Sequence, residues 1–164
     1  MLHDVINPAR FTEVVGQVPM FSEADVDEVL DRAATAFKTW SRTTPEDRAS
    51  RLLAAAGDLR VQELRLVPLL VRENGKTLRE AETDIRRSIE LMEIIAVDLV
   101  EWSKPSIVDA RQPVFARKRA RGVTAVISPW NSPVLLSFKR LIPAIATGNT
   151  VVLKPATYCP LTVT

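Results

Sequence analysis

Two short stretches of this chain hold polar groups at points where a strand should end. The first is Ile127-Ser128-Pro129-Trp130-Asn131-Ser132-Pro133, in which the Asn131 amide stands in a turn closed by a proline suited to the first helical position. The second is Lys154-Pro155-Ala156-Thr157, where an ammonium with three donors follows the apolar run Thr150 to Leu153. Taken alone, an Asn beside prolines is a turn former or helix cap, and a strand-end Lys is a solvated charge. Their placement gives them more interest, because open parallel sheets bind ligands beyond the carboxyl ends of their strands. Thiol chemistry has less support. Cys159 is the only cysteine and His3 the only histidine, the latter in the terminal stretch, so Cys–His activation lacks a partner and no metal cluster can be assembled.

The elements that must position these groups run from Gly122 to Pro155. Val123, Ala125 and Ile127 alternate with Thr124, Val126 and Ser128 in a nearly apolar run, which predicts a strand buried on both faces. From Pro133, a helix should carry Leu135, Leu136, Phe138, Leu141, Ile142 and Ile145 on its apolar stripe, with Gly148-Asn149 as its left-handed stop. Thr150 to Leu153 is the second strand. Strand, helix, strand in this order implies a right-handed parallel crossover. The predicted fold class is α/β, a helical amino-terminal region followed by the first strand-helix-strand unit of a doubly wound, Rossmann-like parallel sheet.

Over GVTAVISPWNSP, a basic residue in the helix and PAIATGNTVVLKPA, in order and at matching spacing, the chain resembles the aldehyde dehydrogenase superfamily. The resemblance implies NAD(P)-dependent oxidation of an aldehyde to a carboxylic acid. It makes Asn131 the side chain that donates to the aldehyde oxygen as negative charge develops, and Lys154 a donor to the adenosine ribose of the cofactor. Ile127, Ser128, Pro129, Trp130, Asn131, Lys154, Ala156 and Thr157 are the implied cofactor contacts, with Ile127 and Trp130 equally readable as strand-end packing. Many NAD-using members carry Glu where Thr157 stands. Without that carboxylate nothing repels a 2′-phosphate, so NAD and NADP both remain open. In the family the nucleophilic Cys, the general-base Glu and the glycine-rich turn over the pyrophosphate fall beyond the position of Thr164. Cys159 matches a family Thr and not the nucleophile. The expectation is therefore half a site, and the alternative is a truncated or split-gene remnant acting only as a weak nucleotide-binding or subunit-pairing module.

The preceding residues read as support. Residues 1–21 form an extended arm with a turn at Asn7-Pro8. Residues 22–103 are helical: Ser22 and Asp25 make a capping box ahead of Val26, Val29, Leu30, Ala33, Phe37 and Trp40, and Thr44-Pro45 opens a second helix with Leu52, Leu53, Ala56 and Leu59 inward. Pro68 predicts a kink, or a break near Val61 to Leu66. Gly75 stops that segment and Thr77 with Glu80 caps a long helix. Its apolar stripe includes Ala81, Ile85, Ile89, Met92, Ile95, Ala96 and Leu99, and Asp84 is assigned to its solvated or helix-bridging face. The run RENGKTLREAETDI also resembles the family. Val114 to Arg121 reads as a strand, the resemblance implies a hairpin or oligomerisation strands within 104–121, and 122–164 hold the strand-helix-strand unit.

A hydrophobic content of 46% with 26% charged residues suits a folded domain of 164 residues. Net charge of +2 points to neither nucleic acid nor membrane, and the basic run Arg117-Lys118-Arg119 with Arg121 lacks interleaved aromatics. With one cysteine, no signal sequence and no membrane-length apolar run, a cytoplasmic protein is expected. Partners implied are an aldehyde, and either further copies of the chain or a complementary downstream chain.

Overall fold

The computed structural model describes residues 1–109 and 114–164. Strand β1 (Leu2–Asn7) pairs antiparallel with β2 (Arg10–Pro19); three helices follow, α1 (Glu23–Trp40), α2 (Pro45–Asn74) and α3 (Leu78–Trp102). A small antiparallel pair, β3 (Ser106–Asp109) and β4 (Val114–Ala116), precedes β5 (Val123–Ile127), α4 (Pro133–Ala146) and β6 (Thr150–Lys154). Strands β5 and β6 are parallel, in register from Val123 against Thr150 to Ile127 against Lys154, and α4 crosses between them. The class is mixed α/β with a parallel strand pair.

The helix starts follow their caps. Ser22 accepts from Asp25 N–H and Asp25 returns the bond, Thr44 accepts from Asp47 N–H ahead of Pro45, and Thr77 with Glu80 forms a second capping box. Gly75 ends α2 at φ +81, where a side chain would be strained and would also meet Pro8.

The core lies where α2, α3 and α4 meet, built from Leu52, Ala56, Leu70, Ile85, Ile89, Leu99, Val134 and Ile142 among others. Each is at most 5% exposed. By area, burying one such aliphatic side chain contributes about 1.5–3 kcal/mol, so this three-helix contact supplies the rigidity on which the strand ends rest.

Several expectations are corrected. Helix α2 runs unbroken through Val61 to Leu66 with Pro68 inside it. The carbonyl deprived of a donor by Pro68 is that of Leu64, a residue 90% exposed, where water can take the bond. Strand β4 stops at Ala116, and Arg117 to Arg121 continue as irregular chain. Helix α1 packs by the half-buried line Val29, Ala33, Phe37 and Trp40, but buries no residue fully and leaves Val26 and Leu30 exposed. In α2, Leu53 faces out. The most buried line of α4 is Val134, Ser137, Ile142 and Ala146, with Phe138 and Leu141 packed alongside, because that helix touches α3, α2 and both parallel strands. Strand β5 is not buried on both faces: Val126 is covered, whereas Val123, Ala125 and Ile127 are open.

Candidate functional site

The parallel register brings the two candidate stretches together. Ile127 and Lys154 are partners at the carboxyl ends of β5 and β6, and Ser128 N–H donates to the Lys154 carbonyl at 3.2 Å. The turn 128–132 and the segment 154–157 therefore leave the sheet side by side. Ile127 is 70% exposed; Pro129, Trp130, Asn131, Lys154 and Thr157 are exposed as well, while Ala156 is buried. Among the described residues, Lys154 Nζ donates only to its neighbour's carbonyl, Pro155 O, at 3.2 Å. Ser128 is buried, and its hydroxyl is the one buried side-chain polar atom without a partner among the described residues. An orphaned buried hydroxyl costs free energy unless something completes it. An exposed ammonium beside an open apolar rim, at two parallel strand ends, can donate to the hydroxyl groups of a ligand.

The turn is held from beneath by the end of α2, a role that helical periodicity did not reveal. The Asn74 side-chain amide donates to the Trp130 carbonyl at 2.7 Å, and the Cys159 thiol lies 3.6 Å from the same oxygen. Lys76 Nζ pairs with Asp84 at 2.7 Å, with side chains 9% and 1% exposed, and the other Asp84 oxygen accepts the Leu135 N–H at 2.8 Å. Ser132, the residue at the cap position of α4, makes no side-chain cap bond, so Asp84 caps α4 from across the helix interface. Of the two readings of that face, solvated or helix-bridging, Asp84 takes the second. The available signal was its place three residues after Ala81 and one before Ile85, on the edge of the apolar stripe.

The opposite end of α4 is held by one guanidinium and one indole N–H. The buried Arg48 guanidinium donates to the Ala146 carbonyl at 2.7 Å and to the Thr43 carbonyl, and Trp40 Nε1 donates to the Ile145 carbonyl at 3.0 Å. A carboxylate at the helix start and a guanidinium at its end both complement the helix dipole. The Asn131 turn thus sits on a helix fixed at both termini.

Glu73, beside Asn74, is 2% exposed and accepts from Leu161 N–H at 2.7 Å, Thr162 N–H at 2.8 Å and the Thr162 hydroxyl. No cation pairs with it among the described residues. Burial pushes its pKa above the ordinary glutamate value, and the three donors oppose that shift without cancelling it. Burial also pushes the Cys159 thiol up to about 11, which makes it a poor nucleophile near neutral pH.

Asn131 itself is exposed, and its amide takes no partner among the described residues. It opens onto a cleft of about 500 Å³ formed by the Asn74 to Lys76 connection, the first turns of α3 and the 130–132 turn. Among the described residues no group of His, Cys, Asp and Glu could hold a metal ion, and no helix is long and apolar enough to cross a membrane.

Comparison with known proteins now bears on this geometry. The model of the Aldehyde dehydrogenase family matches residues 2–164. The chain is 38% identical over 158 residues to the 1-pyrroline-5-carboxylate dehydrogenase of Bacillus pumilus (strain SAFR-032), covering 95% of this chain and 31% of that protein. The glyceraldehyde-3-phosphate dehydrogenase GapN from Methanocaldococcus jannaschii, solved complexed with NADP, superposes with a TM-score of 0.90 at 27% identity, over 98% of this chain and 35% of that one. A betaine aldehyde dehydrogenase variant from Staphylococcus aureus, solved in complex with NAD+, gives a TM-score of 0.90 at 29% identity, over 99% and 33%. The chain spans about a third of the length of the relatives it matches.

Proposed function

The chain belongs to the aldehyde dehydrogenase family, and from that premise we propose that it supplies the ribose crevice and the oxyanion donor for NAD(P)-dependent oxidation of an aldehyde. The observation that supports the proposal is the pairing of Ile127 with Lys154, which brings the turn that carries Asn131 out of the sheet beside an exposed Lys154. In the family reaction a thiolate adds to the aldehyde carbon, a hydride leaves that carbon, and water then releases the acid from the thioester. When bound, the nicotinamide ring is the hydride acceptor. Asn131 would donate to the oxygen that becomes anionic on thiol addition, in an orientation set by Asn74 and by Asp84 through α4. Lys154 would hold ribose hydroxyls, and Thr157 places no carboxylate against a 2′-phosphate, so either NAD or NADP fits.

Calorimetric titration of the 164-residue chain with NAD and with NADP tests this. One charge-assisted lysine bond contributes roughly 1.5–3 kcal/mol against the ~8 that micromolar binding needs, so the expected dissociation constants are millimolar or weaker. Lys154→Ala should abolish the signal. Equal heats for the two proteins would refute the crevice.

The β3–β4 strand pair supports a second role, pairing with another subunit. Ile107 and Val108 are each 65% exposed and Phe115 60%, on a strand pair that joins no other sheet among the described residues.

A further inference from the structure

The basic run after β4 lines a second cleft. Arg117, Lys118 and Arg119 border a space of about 540 Å³ together with Arg48, at the end of α4 away from Asn131. No Asp or Glu is among the described residues that line it. Three helices stop at this cleft, α1 at Ser41, α3 at Ser103 and α4 at Thr147. Each such end carries roughly half a negative charge. Two of the cations answer these ends. Arg48 donates to the Ala146 and Thr43 carbonyls, and Lys118 Nζ donates to the Trp102 carbonyl at 2.7 Å while standing 4.4 Å over the centre of the Trp102 ring. The hydroxyls of Ser41, Thr43, Ser103 and Thr147 donate back to carbonyls of α1, α3 and α4, which leaves them no proton for a ligand. Arg117 and Arg119 are exposed and enter no ion pair among the described residues. Glu46 and Asp47 act on the Arg48 charge from the first turn of α2, but both are exposed and outside the lining. Within the lining, four cations against three half-charged helix ends leave an excess of about two and a half positive charges.

We infer that Arg117 and Arg119 hold a small phosphate-bearing anion against the ends of α1, α3 and α4. The site lies apart from the strand-end crevice and does not depend on it. A guanidinium fork takes two oxygens in parallel, and a phosphoryl group offers three oxygens to the two forks where a carboxylate offers two. The helix ends repel any anion that enters, so a singly charged one gains little from the two arginines, whereas a multiply charged one draws on the whole excess. Nucleic acid suits the cleft less well. Its bases stack on open aromatic faces, and here the Trp102 ring is covered by Lys118 and Phe37 is half-buried.

The experiment is an NMR titration of the labelled 164-residue chain, at fixed ionic strength, with pyrophosphate, with citrate as a carboxylate of similar charge, and with an oligothymidylate. Expected are saturating shifts of the Arg117 and Arg119 Nε–H signals with pyrophosphate, at an affinity at least about threefold above that of citrate. The double variant Arg117→Gln, Arg119→Gln, at two exposed positions, should weaken pyrophosphate at least about tenfold. Lys154→Ala should leave pyrophosphate unchanged, which distinguishes this cleft from the crevice at the strand ends. Shifts that do not saturate, citrate binding as tightly as pyrophosphate, or oligothymidylate binding more tightly than either would each overturn the inference. So would an affinity for pyrophosphate that survives the double variant or is lost with Lys154.

Discussion

Asp84 carries more of the site than any residue that the sequence patterns singled out. Its side chain is 1% exposed and joins Lys76 to the first turn of α4, so removing it strands a buried ammonium and frees a helix-start N–H. Breaking a buried pair from one side costs about 3–5 kcal/mol. Asp84→Ala should lower the unfolding free energy by about 3 kcal/mol in urea denaturation, and a loss under 1 kcal/mol would show that the pair is not structural. Cys159 gives the opposite kind of prediction. Buried, with its thiol pushed up to about 11, it should resist iodoacetamide at pH 8 in the native chain and react readily once urea unfolds it. For the same reason the 164-residue chain by itself should oxidise no aldehyde with NAD or NADP. Turnover that Cys159→Ser abolished would contradict this. Asn131 and Lys154 were legible because their turns are marked by prolines and their neighbours follow a strand-helix-strand pattern. The contacts of Asp84, Asn74 and Arg48 were not, since each acts across an interface between elements distant in sequence, and a charged residue at the margin of an apolar stripe reads equally as solvated or helix-bridging.

The elements themselves were legible where local chemistry decides them. Ser22 with Asp25, Thr44-Pro45 and Thr77 with Glu80 all cap the helices that follow, and Gly75 and Gly148 both adopt positive φ at helix ends. Packing decided the rest. Pro68 sits inside α2 because the missing bond falls on an exposed turn, and the buried line of α4 lies beside the expected stripe because neighbours surround it on several sides. The link between α2 and the last residues of the chain is also an element-scale feature, with a pH dependence. Glu73 has a raised pKa in the fold, so the folded state binds its proton more tightly than the unfolded state does. The stabilisation from Glu73 is thus fully present below the ordinary glutamate value and declines as pH rises through the higher folded value. Glu73→Gln holds a neutral side chain at every pH. The stability advantage of the native chain over this variant should shrink between pH 4.5 and pH 8, and an advantage that grew across that range would contradict the assigned direction.

At the scale of the whole molecule, the parallel pair β5–β6 joins no other strand among the described residues, and Ile127, Trp130 and Tyr158 are exposed around its carboxyl end. Unpaired strand edges and grouped apolar side chains favour association. Light scattering should give a mass above that of one 18.2 kDa chain. A monomeric mass with a sharp cooperative melt would mean that the three-helix core is sufficient alone. The central claim, that the two parallel strand ends form the ribose crevice of a dehydrogenase, is tested most directly by mapping amide chemical shifts of the 164-residue chain on addition of NAD and of NADP. The account predicts shifts that saturate in the millimolar range and centre on Ile127 to Asn131 and Lys154 to Thr157, lost in Lys154→Ala. Shifts centred elsewhere, or unchanged by that substitution, would contradict it.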